Sequence, residues 1–148
     1  MAVKPIPEGY RTITPYFVVE RADRFIDFVK RAFGAQEVYR LNAPDGSVAH
    51  AEFQIGDSRM MLGQASERWR PQTCALYLYV PDVDAVYRKA IEAGATSTMA
   101  PEDKFYGDRS AGVDDPFGNH WYIGTHKEDV SPTEVERRFR ETLKQPTK

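Results

Sequence analysis

The chain has 148 residues and a single cysteine, Cys74. An internal disulfide is therefore excluded, which fits a reducing compartment. No run approaches the roughly 18 consecutive apolar residues that a membrane span requires, so no membrane partner is expected. Basic blocks are missing too. Twenty Lys and Arg stand against 22 Asp and Glu, a net charge of −2, with no cluster to neutralise a phosphate backbone, and nucleic acid is not an expected partner. The opening MAVKPIPEGYR lacks the apolar core and small-residue cleavage site of a secretory signal, so a cytoplasmic location is expected. A Walker-type phosphate loop and a G-x-S-x-G elbow are both absent, which leaves nucleotide hydrolysis and serine-hydrolase chemistry without support. Cys74 has no sequence-adjacent activator and reads as an inert thiol rather than a nucleophile.

What is present is a composition of 41% hydrophobic and 28% charged residues, that of one globular domain covering residues 1–148. Within it lies an internal repeat. TPYFVVERADRFIDFVKRAFGA (14–35) reads as an alternating strand and then a helix with Ala22, Phe25, Ile26, Val29, Ala32 and Phe33 on one face, stopped by Gly34. ALYLYVPDVDAVYRKAIEAGA (75–95) repeats the plan with Val83, Val86, Tyr87, Ala90 and Ile91, stopped by Gly94. Three strand signals separated by turns follow each helix: Val38 to Leu41, SVAHAEFQ and SRMML in the first unit, then Ser97 to Met99, Arg109 to Val113 and HWYIGT in the second. Each half is β-α-β-β-β, with module one over about 11–65 and module two over about 74–127. Ser131-Pro132-Thr133-Glu134 has the pattern of a capping box with Pro at the first helical position and predicts a C-terminal helix over about 132–144. Val135, Phe139 and Leu143 give that helix a narrow apolar stripe.

Strand alternation assigns the two faces of the sheet. Phe17, Val19, Ala49, Ala51, Phe53, Leu76, Leu78, Val80, Trp121 and Ile123 are expected to face the helices. The opposite face then carries Thr14, Tyr16, Val18, Val48, His50, Glu52, Gln54, Met60, Leu62, Ala75, Tyr77, Tyr79, His120, Tyr122 and Gly124. Aromatic and soft apolar groups with a few polar anchors suit a small-molecule pocket; the same face is also able to pack on another sheet or subunit.

Paired β-α-β-β-β units, the helices RFIDFVKRAFGA and DVDAVYRKAIEAGA, and the closing DPFGNHW together resemble the vicinal oxygen chelate superfamily, which includes glyoxalase I, bleomycin-resistance proteins and extradiol dioxygenases. TPYFVV, HAEFQIGDSRMML, FYGDRS, DPFGNHW and THKEDVSP are most similar to its PhnB-like branch, from about Tyr10 to about Arg138. The resemblance implies an α+β fold, two βαβββ modules forming a cupped mixed sheet with helices on its outer face, here followed by a C-terminal helix. It also implies a homodimer. Metalloenzymes of the superfamily commonly draw His, Gln or Glu ligands from the first and last strands of each module. On this chain those positions are Thr14, Met60 or Met61, Ala75 and Tyr122, none of them a usual donor to a divalent metal. No metal and no cofactor are therefore expected.

Two functions compete. One is metal-independent binding of an aromatic or amphipathic ligand by Thr14, Tyr16, Met60, Tyr77, Tyr79, Arg109 and Tyr122. The other is a lyase, isomerase or dioxygenase-like enzyme using His50 and Glu52, with or without a weakly held divalent metal. His50 beside a carboxylate can act as a general base or simply be hydrogen-bonded. Arg109 can present its planar fork to an anion, or pair with Asp108, Asp114 or Asp115 to fix its loop. His120 reads as a solvated residue at the rim, and His126, at the exit of the last strand, as structural or exposed.

Overall fold

A computed structural model describes residues 2–145. The elements follow the predicted order: β1 (Tyr16–Val19), α1 (Ala22–Phe33), β2 (Gln36–Asn42), β3 (Val48–Ile55), β4 (Ser58–Gln64), β5 (Ala75–Tyr79), α2 (Val83–Glu92), β6 (Thr96–Asp103), β7 (Asp108–Asp114), β8 (His120–His126) and α3 (Pro132–Lys144). The fold is α+β with two βαβββ modules. Each module closes its own four-stranded mixed sheet, in the orders β1-β4-β3-β2 and β5-β8-β7-β6. β1 runs parallel to β4 and β5 parallel to β8, and the remaining pairs are antiparallel.

The modules join through their helix-bearing sides. α1 lies against α2, Phe17 of β1 stacks on Trp121 of β8 at 5.6 Å, and Phe33 of α1 meets the same indole at 4.6 Å. Phe117, in the turn before β8, sets its edge against Phe25 at 5.4 Å. One apolar core thus serves both sheets, and the other face of each sheet is left open.

Helix α1 buries Ala22, Phe25, Ile26, Phe28, Val29 and Ala32 and ends at Gly34, whose φ of 68° is the left-handed conformation that suits a glycine cap. Phe28 was not among the predicted core positions, and the predicted Phe33 is only half-buried. α2 is capped by Asp82, which accepts from the Ala85 backbone N–H at 3.1 Å, and fully buries only Val83 and Ala90. α3 begins as expected, with Ser131 Oγ accepting from Glu134 N–H at 3.2 Å. The Glu134 carboxylate does not reach back to complete the box; it accepts from Arg137 and Arg138. α3 buries no residue. It is held by Phe139 against Phe105 at 5.5 Å and by Arg138, which donates to the Phe105 carbonyl and to Glu128.

The alternation assigned four residues to the wrong face, for two physical reasons. Met60 and Leu62 point into the core, and Met61 takes the open-face position opposite Tyr16 and Glu52. Three consecutive apolar residues carry no alternation, and a one-residue shift exchanges the faces. Val48 is buried and Ala49 exposed, because the β2–β3 register slips between Leu41 and Asn42 and leaves Ala49 without a partner, which is a β-bulge. β6 is also longer than expected and absorbs Ala100 and Pro101 in a second irregularity, tolerated because it is an edge strand.

The DPFGN turn is a polar knot. The buried Asp115 carboxylate accepts from Phe117 N–H at 2.8 Å, Asn119 N–H at 2.9 Å, Asn119 Nδ2 at 3.0 Å and the Trp121 indole N–H at 2.8 Å. Asn119 Oδ1 in turn accepts from Cys74 N–H at 3.0 Å, tying the turn to the start of module two.

Candidate functional site

The open faces of the two sheets use the same device in different chemistry. In module one, Tyr16 on β1 crosses Gly63 on β4 and brings its hydroxyl to 3.2 Å from His50 Nδ1 on β3. A Cβ on Gly63 would lie 2.8 Å from that hydroxyl, so the crossing depends on glycine. In module two, Tyr77 on β5 crosses Gly124 on β8, where a Cβ would lie 2.5 Å from the hydroxyl, and donates to Asp108 Oδ2 on β7 at 2.9 Å.

Asp108 is only 4% exposed. It also accepts from Tyr79 at 3.0 Å, and its second oxygen lies 2.8 Å from His126 Nδ1. Burial pushes this carboxyl up, but hydrogen bonds from His126, Tyr77 and Tyr79 outweigh it and hold the group below its ordinary value. His126 is also engaged through Nε2, 2.7 Å from Asp129. Only the imidazolium can donate to both carboxylates, and these hydrogen bonds, Asp108 first and Asp129 second, raise its pKa. Burial and the bond to Asp108 push the Tyr77 phenol up, so it stays protonated and serves as a donor. Tyr122 stacks beside Tyr77 with centroids 5.9 Å apart.

The sequence-derived site divides accordingly. Tyr16, Tyr77, Tyr79 and Tyr122 share the open faces, with 46%, 39%, 67% and 43% of their surface exposed. His50 and Glu52 stand on the open face of β3, but they engage different partners. Glu52 accepts from Tyr10, brought in by the N-terminal segment, and burial followed by this bond pushes the Tyr10 phenol up to about 12. Arg59 lies 5.3 Å from the Tyr10 ring centroid. Thr14 precedes β1 and its hydroxyl turns to the Arg11 carbonyl. Met60 is withdrawn into the core, as described. Arg109 lies on the helix side of β7, not the open face. There it grips Asp84 of α2 through two hydrogen bonds of 2.9 and 3.1 Å and reaches Asp103 at 3.3 Å. Those partners are not the three acids the sequence suggested. Cys74 is half-buried, and burial followed by Asp115 raises its pKa, away from a reactive thiolate.

Sequence reasoning missed Asp108, Asp114 and Tyr10 as members of these faces. Asp108 and Asp114 have the parity of Ser110 and Gly112 along β7, so alternation carried to the ends of that strand would have found them. Tyr10 carried no such signal. A cleft of about 670 Å³ at the module junction, lined by Arg21, Arg24, Arg31, Phe28, Pro71 and Phe117 among others, lies apart from both open faces.

The donors at the metal positions of the metalloenzyme relatives do not make a divalent-metal site. Ala75 has none, Met61 offers a thioether, and Thr14 and Tyr122 offer neutral hydroxyls. Among the described residues no three His, Cys, Asp or Glu side chains gather to hold a metal ion.

Two fused βαβββ modules with open, tyrosine-lined sheet faces define the class. The family follows: residues 12–123 match the model of the Glyoxalase/Bleomycin resistance protein/Dioxygenase superfamily, and the chain belongs to it. Uncharacterized proteins of Mycobacterium bovis and Mycobacterium tuberculosis are similar at 36% identity over 84% of this chain and 89% and 79% of theirs. Among solved structures, TioX of Micromonospora sp. ML1 is similar in fold, with a TM-score of 0.69 at 24% identity over 78% of this chain and 98% of that one. A Bacillus cereus PhnB protein, described as a putative 3-demethylubiquinone-9 3-methyltransferase, has a TM-score of 0.65 at 18% identity over 78% and 99%. No helix among the described residues is long and apolar enough to cross a membrane.

Proposed function

We propose that this protein is a metal-independent small-molecule binding protein of the bleomycin-resistance type, which takes an aromatic or amphipathic ligand on its open sheet faces and acts as a homodimer. The observation that carries the reading is the set of four half-exposed tyrosines. They remain substantially exposed on the sheet faces turned away from the helices, and rigid aromatic surface of this kind, rimmed by polar groups, marks a binding site. A second copy laid over such a face turns an open sheet into an enclosed cavity, which supports the dimer. The enzyme alternative gains nothing from the geometry, because Glu52 and His50 are held by different tyrosines and do not act as a pair.

Native mass spectrometry of gently purified protein tests the reading. A metal-free dimer retaining an organic molecule is expected; a stoichiometric transition metal overturns it. Tyr77→Ala and Tyr122→Ala should each weaken ligand binding about tenfold or more while circular dichroism stays native, and unchanged affinity in both removes the assignment of these faces.

A further inference from the structure

We infer that His120, oriented by Asp114, is the polar anchor of the module-two face, and that it selects planar aromatic ligands carrying a neutral hydroxyl, phenolic or enolic. The inference rests on the binding reading above and names the ligand chemistry at that site.

His120 opens β8, and its side chain stands on the same face as Tyr122. Its Nδ1 lies 2.6 Å from Asp114 Oδ1. A carboxylate at that distance accepts, so Nδ1 carries the hydrogen, and the neutral imidazole is left with a bare lone pair on Nε2. This differs from His126, both of whose nitrogens are occupied by carboxylates, and from His50, whose Nδ1 meets a tyrosine hydroxyl. Of the three histidines, His120 is the one held by a carboxylate at one nitrogen with no hydrogen-bond partner at the other among the described residues.

The surroundings of Nε2 suit a flat ring. β7 places Gly112 opposite Tyr122, and β5 places Ala75 opposite His120, so the floor beside the imidazole is low at Ala75. A Cβ on Gly112 would come within 3.4 Å of His120 Nε2 and 2.6 Å of Thr98 Oγ1. The threonine hydroxyl and the imidazole edge therefore occupy the space over Gly112, which only glycine concedes to them. Tyr122 forms the wall, with its ring centroid 4.3 Å from the imidazole at 72°, and Tyr77 extends it. A ring resting on Ala75 and meeting Tyr122 brings an attached hydroxyl to Nε2. Thr98 is beside it as either donor or acceptor. A ligand lacking the hydroxyl would leave Nε2 desolvated and unpaired, which is the stronger part of the discrimination.

The test compares 2-naphthol with 2-methoxynaphthalene, which share the ring and differ in the hydroxyl hydrogen. Binding is measured by calorimetry at pH 8, and the His120 ring nitrogens are followed by ¹⁵N NMR. In the wild type the naphthol should bind about tenfold more tightly, a difference typical of one well-formed buried hydrogen bond, and should shift Nε2 while Nδ1 stays protonated. His120→Ala should bring the ratio to about one, and Asp114→Ala should lower it by freeing the tautomer. Equal affinity of the two probes for the wild type, with both weakened by Tyr122→Ala, overturns the His120 assignment and leaves the binding face standing. Failure of both probes to bind, with no shift at His120 or on the face, overturns both. If His120→Ala does not fold, the wild-type ratio and the Nε2 shift still decide.

Discussion

The two modules share a topology and divide the work. Module one supplies the mass of the core: α1 buries six side chains, whereas α2 buries two. Module two supplies buried polar anchors, Asp108 under the tyrosines and Asp115 in the turn. On the open faces the contrast repeats. Tyr16 ends on a half-exposed histidine at 3.2 Å, while Tyr77 and Tyr79 end on a carboxylate that is almost fully enclosed. A duplicated unit can therefore keep its strand order and its tyrosine-over-glycine crossing while one copy is stabilised by apolar packing and the other by satisfied charge.

The largest effects should separate these two modes of stabilisation. Phe25→Ala in module one should cost about 3–5 kcal/mol by leaving a cavity in the shared core. Asp115→Asn keeps the volume of module two's turn but sets an amide donor against the N–H groups of Asn119 and Trp121, and should cost about 2–3 kcal/mol. Urea unfolding measures both. A loss below about 1 kcal/mol for Asp115→Asn means that the turn is held by packing and the contrast is false.

Next come the two crossings. Gly124→Ala drives a methyl into the Tyr77 hydroxyl and should remove that donor from Asp108, at a cost of about 1–2 kcal/mol. Gly63→Ala displaces the exposed Tyr16 from a longer bond and should cost less than about 1 kcal/mol. Equal losses would show that the two tyrosines are anchored alike.

The smallest effect is a pH dependence confined to module two. The raised His126 pKa means that its stabilising contribution is complete below its ordinary value of 6.5 and fades as pH climbs through the folded value. The depressed Asp108 pKa works in the opposite direction, with its contribution present above 3.8 and lost as pH falls through the folded value. The stability difference between wild type and His126→Gln should therefore be greatest near pH 6 and shrink toward pH 9. A difference that is flat across this range shows that the imidazolium bridge is not formed in solution.

Much of this was legible in the sequence. Period-two alternation put Tyr16, Tyr77, Tyr79 and Tyr122 on the face away from the helices, because each strand mixes aromatic and aliphatic positions cleanly. It failed at SRMML, where Met60, Met61 and Leu62 are equally apolar, and at Ala49, where a bulge reverses the parity and nothing in the composition announces it. Asp115 was visible only as a turn residue and a candidate partner of Arg109, since one of its actual partners, the Trp121 indole, comes within reach only when β8 turns inward. The grip of Arg109 on Asp84 was hidden for a similar reason. It joins residues 25 apart, and their meeting depends on how α2 crosses the sheet.

The buried carboxylate beneath Tyr77 and Tyr79 has one more consequence. A surface tyrosine ordinarily gives up rotational freedom when a ligand settles on it, and that loss subtracts from affinity. Here both phenols are tethered beforehand, one of them threaded over a glycine, so the freedom was surrendered when the chain folded. The face is rigid before any molecule settles on it. Contacts made on such a surface would convert into affinity with little entropic discount, and the shape of a bound molecule would be judged against a fixed template.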